Sequence, residues 1–240
     1  MTTTTAPTPA PLPLPAHKLI LNKFCLFRPQ YMLLTLDPLR RQGEPLDAQD
    51  LAAAWAVLTS MSRPEQQQSG DGGGGGYVVY NGGREAGSSR KHKHLQVLGM
   101  PGSLRDDGEV GARGLWPLDM ARLPFMYFCY EVHEADGRGG SEDDALRRLV
   151  RAAEEHAAAC RAALGVAEGG PFDHNVILTR DRMVTIPRRR GTVPAIKGHN
   201  VGAQGMLGLV WVNEEAQMDA WKAAGMVAVL RELGLPRQCE

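Results

Sequence analysis

Charge of one sign is what this sequence most clearly lacks. Lys plus Arg number 27 and Asp plus Glu number 27 over 240 residues, so no overall field draws the chain to nucleic acid or an anionic membrane, and any anion site must be local. Cysteine is scarce and scattered, with Cys25, Cys129, Cys160 and Cys239 forming no C-x-x-C. That spacing indicates neither a zinc knuckle nor a disulfide framework, and reduced thiols of an intracellular protein are the expectation. Long apolar runs are missing too, since none approaches the roughly 20 residues of a membrane span. The first residues, Met1 to Ala16, lack the basic and apolar regions of a secretory signal, and without arginine they make a poor transit peptide. A cytoplasmic location is expected, with plastid or nucleus as alternatives.

What is present is a chain long enough for one large domain or two small ones at roughly 150 residues per domain. The excess among its 28 glycines and 16 prolines is clustered in the proline-rich leader and in the run Gly72 to Gly76, marking flexible tracts in an otherwise ordinary globular chain. Lys18 to Cys25 and Tyr31 to Leu36 are apolar runs split by Phe27-Arg28-Pro29, which predicts a hairpin. Asp47, three residues before Asp50, opens a helix over Leu51 to Leu58 by an approximate capping box. Arg63 to Gly76 is expected to be a disordered loop. Tyr77 to Tyr80 and His92 to Leu98 predict strands joined by the glycine- and serine-rich loop Asn81 to Lys91, and Phe125 to His133 predicts another. Ser141 caps a helix whose apolar residues from Leu146 to Leu164 step by three and four until Gly165 closes it. Val176 to Thr179 and Met183 to Pro187 read as a second hairpin, Leu207 to Val212 as a strand, and Glu214 to Leu233 as a helix interrupted near Gly225. Hairpins outnumber βαβ units, so α+β is the predicted class.

The chemistry gathers on one strand. Side chains alternate along it, so His92, His94 and Gln96 share one face and Lys93, Leu95 and Val97 the other. A half-buried strand whose polar face meets water would suit a lone histidine, but two histidines and a glutamine beside a glycine-serine loop make that less apt. Two imidazoles at this spacing can also share a metal ion, although zinc would want a third histidine, cysteine or carboxylate, and His133, His174 and His199 have no motif spacing. The third reading is nucleophilic catalysis, with a neutral imidazole nitrogen attacking phosphorus while its other nitrogen is held by a hydrogen bond. Gly87, Ser88 and Ser89 offer N–H groups and hydroxyls to phosphoryl oxygens, and Arg90, Lys91 and Lys93 add positive charge nearby. Elsewhere the bland reading is preferred. Arg188 to Arg190 are expected to be solvated, Trp116, Trp211 and Trp221 to be core or contact residues, and His174 stays outside the catalytic set.

The order Asn81-Gly82-Gly83, Gly87-Ser88-Ser89, His92-Lys93-His94-Leu95-Gln96 resembles the H-x-H-x-Q site of the transferase branch of the histidine-triad superfamily, the diadenosine tetraphosphate phosphorylases or ATP adenylyltransferases. Leu19 to Phe24, Asp50 to Leu58, Leu123 to Phe125, Asn175 to Arg190 and Asn200 to Leu235 resemble further segments of that family. Arg90-Lys91 stands where related sequences commonly read Gln-Pro, which adds charge and removes a rigid ring.

The resemblance implies a HIT-like antiparallel sheet with packed helices and a C-terminal α/β extension. It divides the chain into a leader at 1–16, a catalytic core at 17–135 with an insertion at 63–76, and a C-terminal region at 136–240. By resemblance His94 attacks the α-phosphorus of diadenosine tetraphosphate, expels ATP and carries AMP until inorganic phosphate releases ADP. His92 would orient the nucleophile and Gln96 would donate to the developing charge. Asn22, Lys23, Asn81, Gly87, Ser88 and Ser89 would contact the substrate. The nucleophile requires no cofactor and no protein-held metal, any Mg2+ being bound with the nucleotide. Partners are the nucleotides and phosphate, with no nucleic acid and no membrane, and the protein is expected to be a monomer. Alternatives are the same chemistry on adenylyl sulfate or a nucleoside diphosphate sugar, and a silent nucleotide-binding protein.

Overall fold

The computed structural model describes residues 16–25, 30–61, 75–99, 123–132, 142–196, 198 and 200–237. The proline-rich leader before Ala16, the turn Phe27-Arg28-Pro29, the insertion from 63 to 74, Trp116, His133, Ser141 and His199 lie outside the described residues. Among the described residues, seven strands, β1 (His17–Leu21), β2 (Gln30–Thr35), β3 (Gly76–Gly82), β4 (His94–Gly99), β5 (Phe128–Glu131), β6 (His174–Leu178) and β7 (Arg182–Pro187), form one sheet in the order β1-β2-β4-β3-β6-β7-β5. Every pairing in it is antiparallel. The helices are α1 (Ala48–Met61), α2 (Glu142–Leu164), α3 (Ala203–Met206), α4 (Glu215–Ala224) and α5 (Met226–Leu233).

Local chemistry explains the ends of these elements. Asp47 Oδ1 accepts from the Asp50 N–H at 3.0 Å and Asp50 Oδ2 accepts from the Asp47 N–H at 3.0 Å, a reciprocal capping box at the start of α1. Helix α2 ends in a Schellman arrangement, with Gly165 at φ 68° and N–H bonds from Gly165 to Ala162 O and from Val166 to Arg161 O. Gly225, at φ 78°, breaks the last helix into α4 and α5.

The central strands are buried on both faces, and the alternation in β3 sorts them. Val78 and Tyr80 pack with Leu95, Val97 and Val176 under α1 and α2, around Leu51, Leu58 and Leu149. Tyr77 and Val79 pack on the opposite face with Ile177, Val184 and Ile186 under the C-terminal segment, around Met206, Trp221, Val229 and Leu233. Residues before and after 135 therefore build one sheet and share both apolar layers.

Four expectations are corrected. The run Leu207 to Val212 is not a strand. It leaves α3 through Gly208 at φ 87°, and Leu207, Leu209 and Val210 pack half-buried on the core without strand pairing; a short apolar run carries no period that separates the two outcomes. The histidine strand begins its regular ladder at His94, because Lys91 to Lys93 leave β3 and bond instead to Arg40 to Gln42, with Gln42 N–H on Lys91 O at 2.9 Å and Lys93 N–H on Arg40 O at 3.2 Å. Of the three arginines only Arg189 is exposed, since Arg188 is fully buried and Arg190 reaches Glu232 at 2.7 Å.

Lys93 also departs from its expected place beside the phosphate loop. It projects to the helix-covered face, fully buried, with Nζ 2.5 Å from Asp50 Oδ2 and 2.6 Å from Pro45 O. His17 Nε2 lies 2.8 Å from the other oxygen of Asp50. Burial alone would raise the Asp50 pKa, but the His17 hydrogen bond and the Lys93 charge outweigh it and hold the carboxyl at about 2.

Candidate active site

His94 opens β4 on the sheet face that carries Gln96 and, from β3, Asn81. Its Nδ1 lies 2.9 Å from the backbone oxygen of His92. A carbonyl only accepts, so Nδ1 carries the proton and Nε2 keeps its lone pair. Burial lowers the pKa of His94 below the ordinary imidazole value; the bond to His92 opposes this and the nearby Arg90 charge reinforces it. The ring is thus neutral with a defined tautomer, although only 8% exposed. The contact that orients it comes from the His92 carbonyl. The His92 ring itself turns to Thr35, with Nε2 and Oγ1 2.9 Å apart.

The two amides beside it are oriented by their partners. Gln96 Oε1 accepts from Gln30 Nε2 at 3.1 Å, which turns the Gln96 amino group away from that bond as a donor. Asn81 is set by a longer relay that starts at buried Arg188. A guanidinium only donates, so its 2.5 Å contact with Asn175 Oδ1 fixes the Asn175 flip. Asn175 Nδ2 then donates to Ala86 O at 2.8 Å and to Asn81 Oδ1 at 2.9 Å. A second donor, the Ala203 N–H, reaches the same Asn81 oxygen at 2.8 Å. Asn81 Oδ1 is therefore occupied twice, and its Nδ2 hydrogens are left for the cavity. Asn81, Gly87 and Gln96 line that cavity, of about 180 Å³, together with Gly202, Ala203 and Trp211.

Gly87 is required where it sits. Its φ is 92°, and a Cβ there would lie 2.4 Å from Gly202 Cα, so the loop from 83 to 91 can press on the start of α3 only with glycine at this position. Ser88 and Ser89 line a neighbouring cavity, and Asn200 borders both. Asn22 and Lys23 line neither. Asn22 touches the site only through Gln30, its N–H donating to Gln30 O at 3.0 Å, and Lys23 is exposed in the turn after β1. His174 faces the opposite layer, stacked on Phe172 at 4.4 Å and held neutral by burial, with a pKa of about 4. Among the described residues no three His, Cys, Asp or Glu side chains are grouped as metal ligands.

Gln42 is the residue that sequence reasoning misses most completely. Its buried amide donates to His94 O at 2.9 Å and Asn81 O at 3.0 Å, and accepts from the His94 N–H at 2.8 Å. It thus pins the strand that carries His94 to β3 where the two diverge. Gln42→Leu strips all three bonds at once, and we expect a loss of about 2–4 kcal/mol in urea-unfolding free energy, with slower chemistry at His94.

Residues 14–109 match the model of the Ap4A phosphorylase N-terminal domain, and residues 121–236 match that of the ATP adenylyltransferase C-terminal domain. Protein APA1 of Saccharomyces cerevisiae is 37% identical over 98 residues, covering 41% of this chain and 28% of that protein. Diadenosine 5',5'''-P1,P4-tetraphosphate phosphorylase 2 of the same yeast is 25% identical over 212 residues, covering 85% of this chain and 64% of that protein. The chain thus spans less than two thirds of the length of either relative. Crystal structures of a yeast enzyme share the fold. Yeast Ap4A phosphorylase Apa2 superposes with a TM-score of 0.69 at 22% identity, covering 93% of this chain and 76% of that one. The same enzyme in complex with Ap4A gives 0.70 at 21% identity, covering 93% and 75%.

Proposed function

Since the chain belongs to the family of the diadenosine tetraphosphate phosphorylases, or ATP adenylyltransferases, we propose that it is a nucleotidyltransferase cleaving diadenosine tetraphosphate by phosphorolysis to ATP and ADP. The observation that carries this reading is the neutral, buried His94 ring, its Nδ1–H held by the His92 carbonyl at 2.9 Å and its Nε2 left as a nucleophile. Nε2 forms a bond to the α-phosphorus while the P–O bond to ATP breaks, leaving AMP on His94. An oxygen of inorganic phosphate then bonds to that phosphorus, the P–N bond returns its electron pair to Nε2, and ADP departs. Storing the phosphoryl group on nitrogen keeps it activated between the steps, so the reaction runs both ways.

The amide donors of Gln96 and Asn81 fit this chemistry, because charge accumulates on the non-bridging oxygens of the transferred group. Gln96 cannot protonate a leaving group, and a departing terminal phosphate does not need it: its conjugate acid has a pKa of about 6. A glutamine here therefore suits polyphosphate leaving groups better than poor ones. Magnesium is assigned to the incoming polyphosphate, and the working unit to a monomer.

The direct test is intact mass spectrometry after incubation with diadenosine tetraphosphate, with and without phosphate. An AMP adduct on His94 is expected without phosphate, and ADP plus ATP with it; absence of both overturns the proposal. Asn81→Asp keeps the acceptor for Asn175 and Ala203 but replaces the cavity donor by an anion, and we expect adduct formation to slow by roughly 10²–10³-fold. The lowered pKa of His94 predicts the pH profile. Only the neutral ring attacks, so kcat/KM should stay level as pH falls from 8 to about 6.5, the ordinary imidazole value, and decline only below it.

A further inference from the structure

Once AMP sits on His94, two acceptors compete for it, phosphate and water. Nδ1 keeps its hydrogen against the His92 carbonyl at 2.9 Å, so the adduct is a phosphorylated imidazolium, whose P–N bond breaks readily. Water attacks slowly unless an acceptor orients it and draws on its proton, as a glutamine does for the attacking water in GTP hydrolysis. Phosphate arrives as an anion and needs no such help.

The side-chain acceptors around the ring are engaged elsewhere. Asn81 Oδ1 accepts twice, from Asn175 Nδ2 at 2.9 Å and from the Ala203 N–H at 2.8 Å. Gln96 Oε1 accepts from Gln30 Nε2 at 3.1 Å. Gln204 Oε1 accepts from Trp211 Nε1 at 3.4 Å, and the Asn200 oxygen packs on Gly191, where a Cβ would stand 2.2 Å from it. The His92 ring turns to Thr35. On β2 the register partners of His94 and Gln96 are Leu34 and Met32, which bring no side-chain oxygen, and among the described residues no carboxylate lines the cavity beside them. The amides that face the transferred group therefore present donors.

We propose that Gln30 is a positioning residue that makes the adenylylated intermediate selective for phosphate over water. The proposal rests on the transferase reading of His94. Gln30 is buried at the start of β2, and its own carbonyl accepts from the Asn22 N–H at 3.0 Å. From there its amino group holds the Gln96 carbonyl away from the site, so Gln96 offers N–H to phosphoryl oxygens and nothing to a water hydrogen. A flipped Gln96 would instead orient a water in line with Nε2. The water oxygen would bond to phosphorus, the P–N bond would return its pair to Nε2, and the water proton would pass to solvent, releasing AMP where phosphate gives ADP.

The test is the fate of preformed adduct in the full chain. Protein is loaded with diadenosine tetraphosphate, desalted free of ATP and mixed with phosphate at a fixed concentration, and AMP and ADP are counted by mass spectrometry. In Gln30→Glu the new carboxylate only accepts, which reverses the bond and turns the Gln96 oxygen to the site. Gln30→Met keeps the shape, brings no charge and frees the amide to rotate. We expect the ratio of AMP to ADP to rise roughly tenfold in Gln30→Glu, about the worth of one hydrogen bond moved from the phosphoryl oxygens to water, and to rise by less in Gln30→Met. The ratio is read only on protein that carries AMP, so a partial fold defect scales both products alike. An unchanged ratio in both variants overturns the proposal and leaves the transferase reading standing. A rise confined to Gln30→Glu overturns it too, because the introduced carboxylate is then the base. So does a failure of both folded variants to load at all, since a residue that only turns an acceptor away is not needed for loading. Absence of adduct in the wild type overturns the transferase reading and this assignment with it.

Discussion

A His94→Gly variant is expected to form no AMP adduct, with turnover lowered by roughly 10⁵-fold or more, as for loss of other covalent nucleophiles. The ring is the only group on its strand that combines a fixed tautomer with a buried, unprotonated nitrogen, its Nδ1 held 2.9 Å from the His92 oxygen. Glycine removes Nε2 and leaves the backbone bonds to Gln42 intact, so thermal unfolding of the variant should remain cooperative. Continued turnover at more than a trace level, with the adduct on another residue, would overturn the assignment.

Asp50→Ala should have the largest effect on stability. It leaves Lys93, fully buried, with a single carbonyl partner at Pro45, and an uncompensated buried charge costs about 3–5 kcal/mol. For a protein of this size that lowers Tm by on the order of 10 °C in calorimetry. Replacing both partners, Asp50→Leu with Lys93→Met, should recover part of the loss, since no charge is then left behind. The same carboxylate predicts an acid limit. Its folded pKa, about 2, lies below the unfolded value of about 3.9, so its contribution is complete above pH 4 and is lost as pH falls from there toward 2. Tm should decline over that window in the wild type and less steeply in Asp50→Asn. Equal slopes would show that the ion cluster does not govern acid stability.

Much of the site was legible because its elements are local. The shared face of His94 and Gln96 requires only that the segment be extended, whereas His92 precedes the regular ladder and turns its ring to Thr35; the Gly87 turn requires only a glycine where a side chain would collide with Gly202. The Asp47–Asp50 cap and the break at Gly225 are equally short-range signals. Lys93 was misplaced for the same reason that its neighbours were placed correctly. Alternation puts it opposite the histidines, but the sequence around it says nothing of a buried aspartate more than forty residues upstream. Arg188 was taken as solvated because charge runs after strands usually are, whereas its environment comes from Asn175 on the paired strand and the backbone of Arg190 and Leu233.

By itself, the sequence determined the class of the fold and the positions of the His94 strand and of the glycine-serine loop before it. Those depend on periodicity and on residue types a few positions apart. Tertiary structure alone decided which groups hold the site in register. Gln42 meets His94 across 52 residues, Asn175 meets Asn81 across 94, and the Ala203 N–H meets Asn81 across 122. It also decided where charge collects, converting a chain with no net sign into a buried Asp50–Lys93 pair on one face and a concavity lined by Arg41, Arg84, Arg90 and Lys91 on the surface. Contacts of such sequence separation follow from strand order and loop closure, which no local pattern encodes.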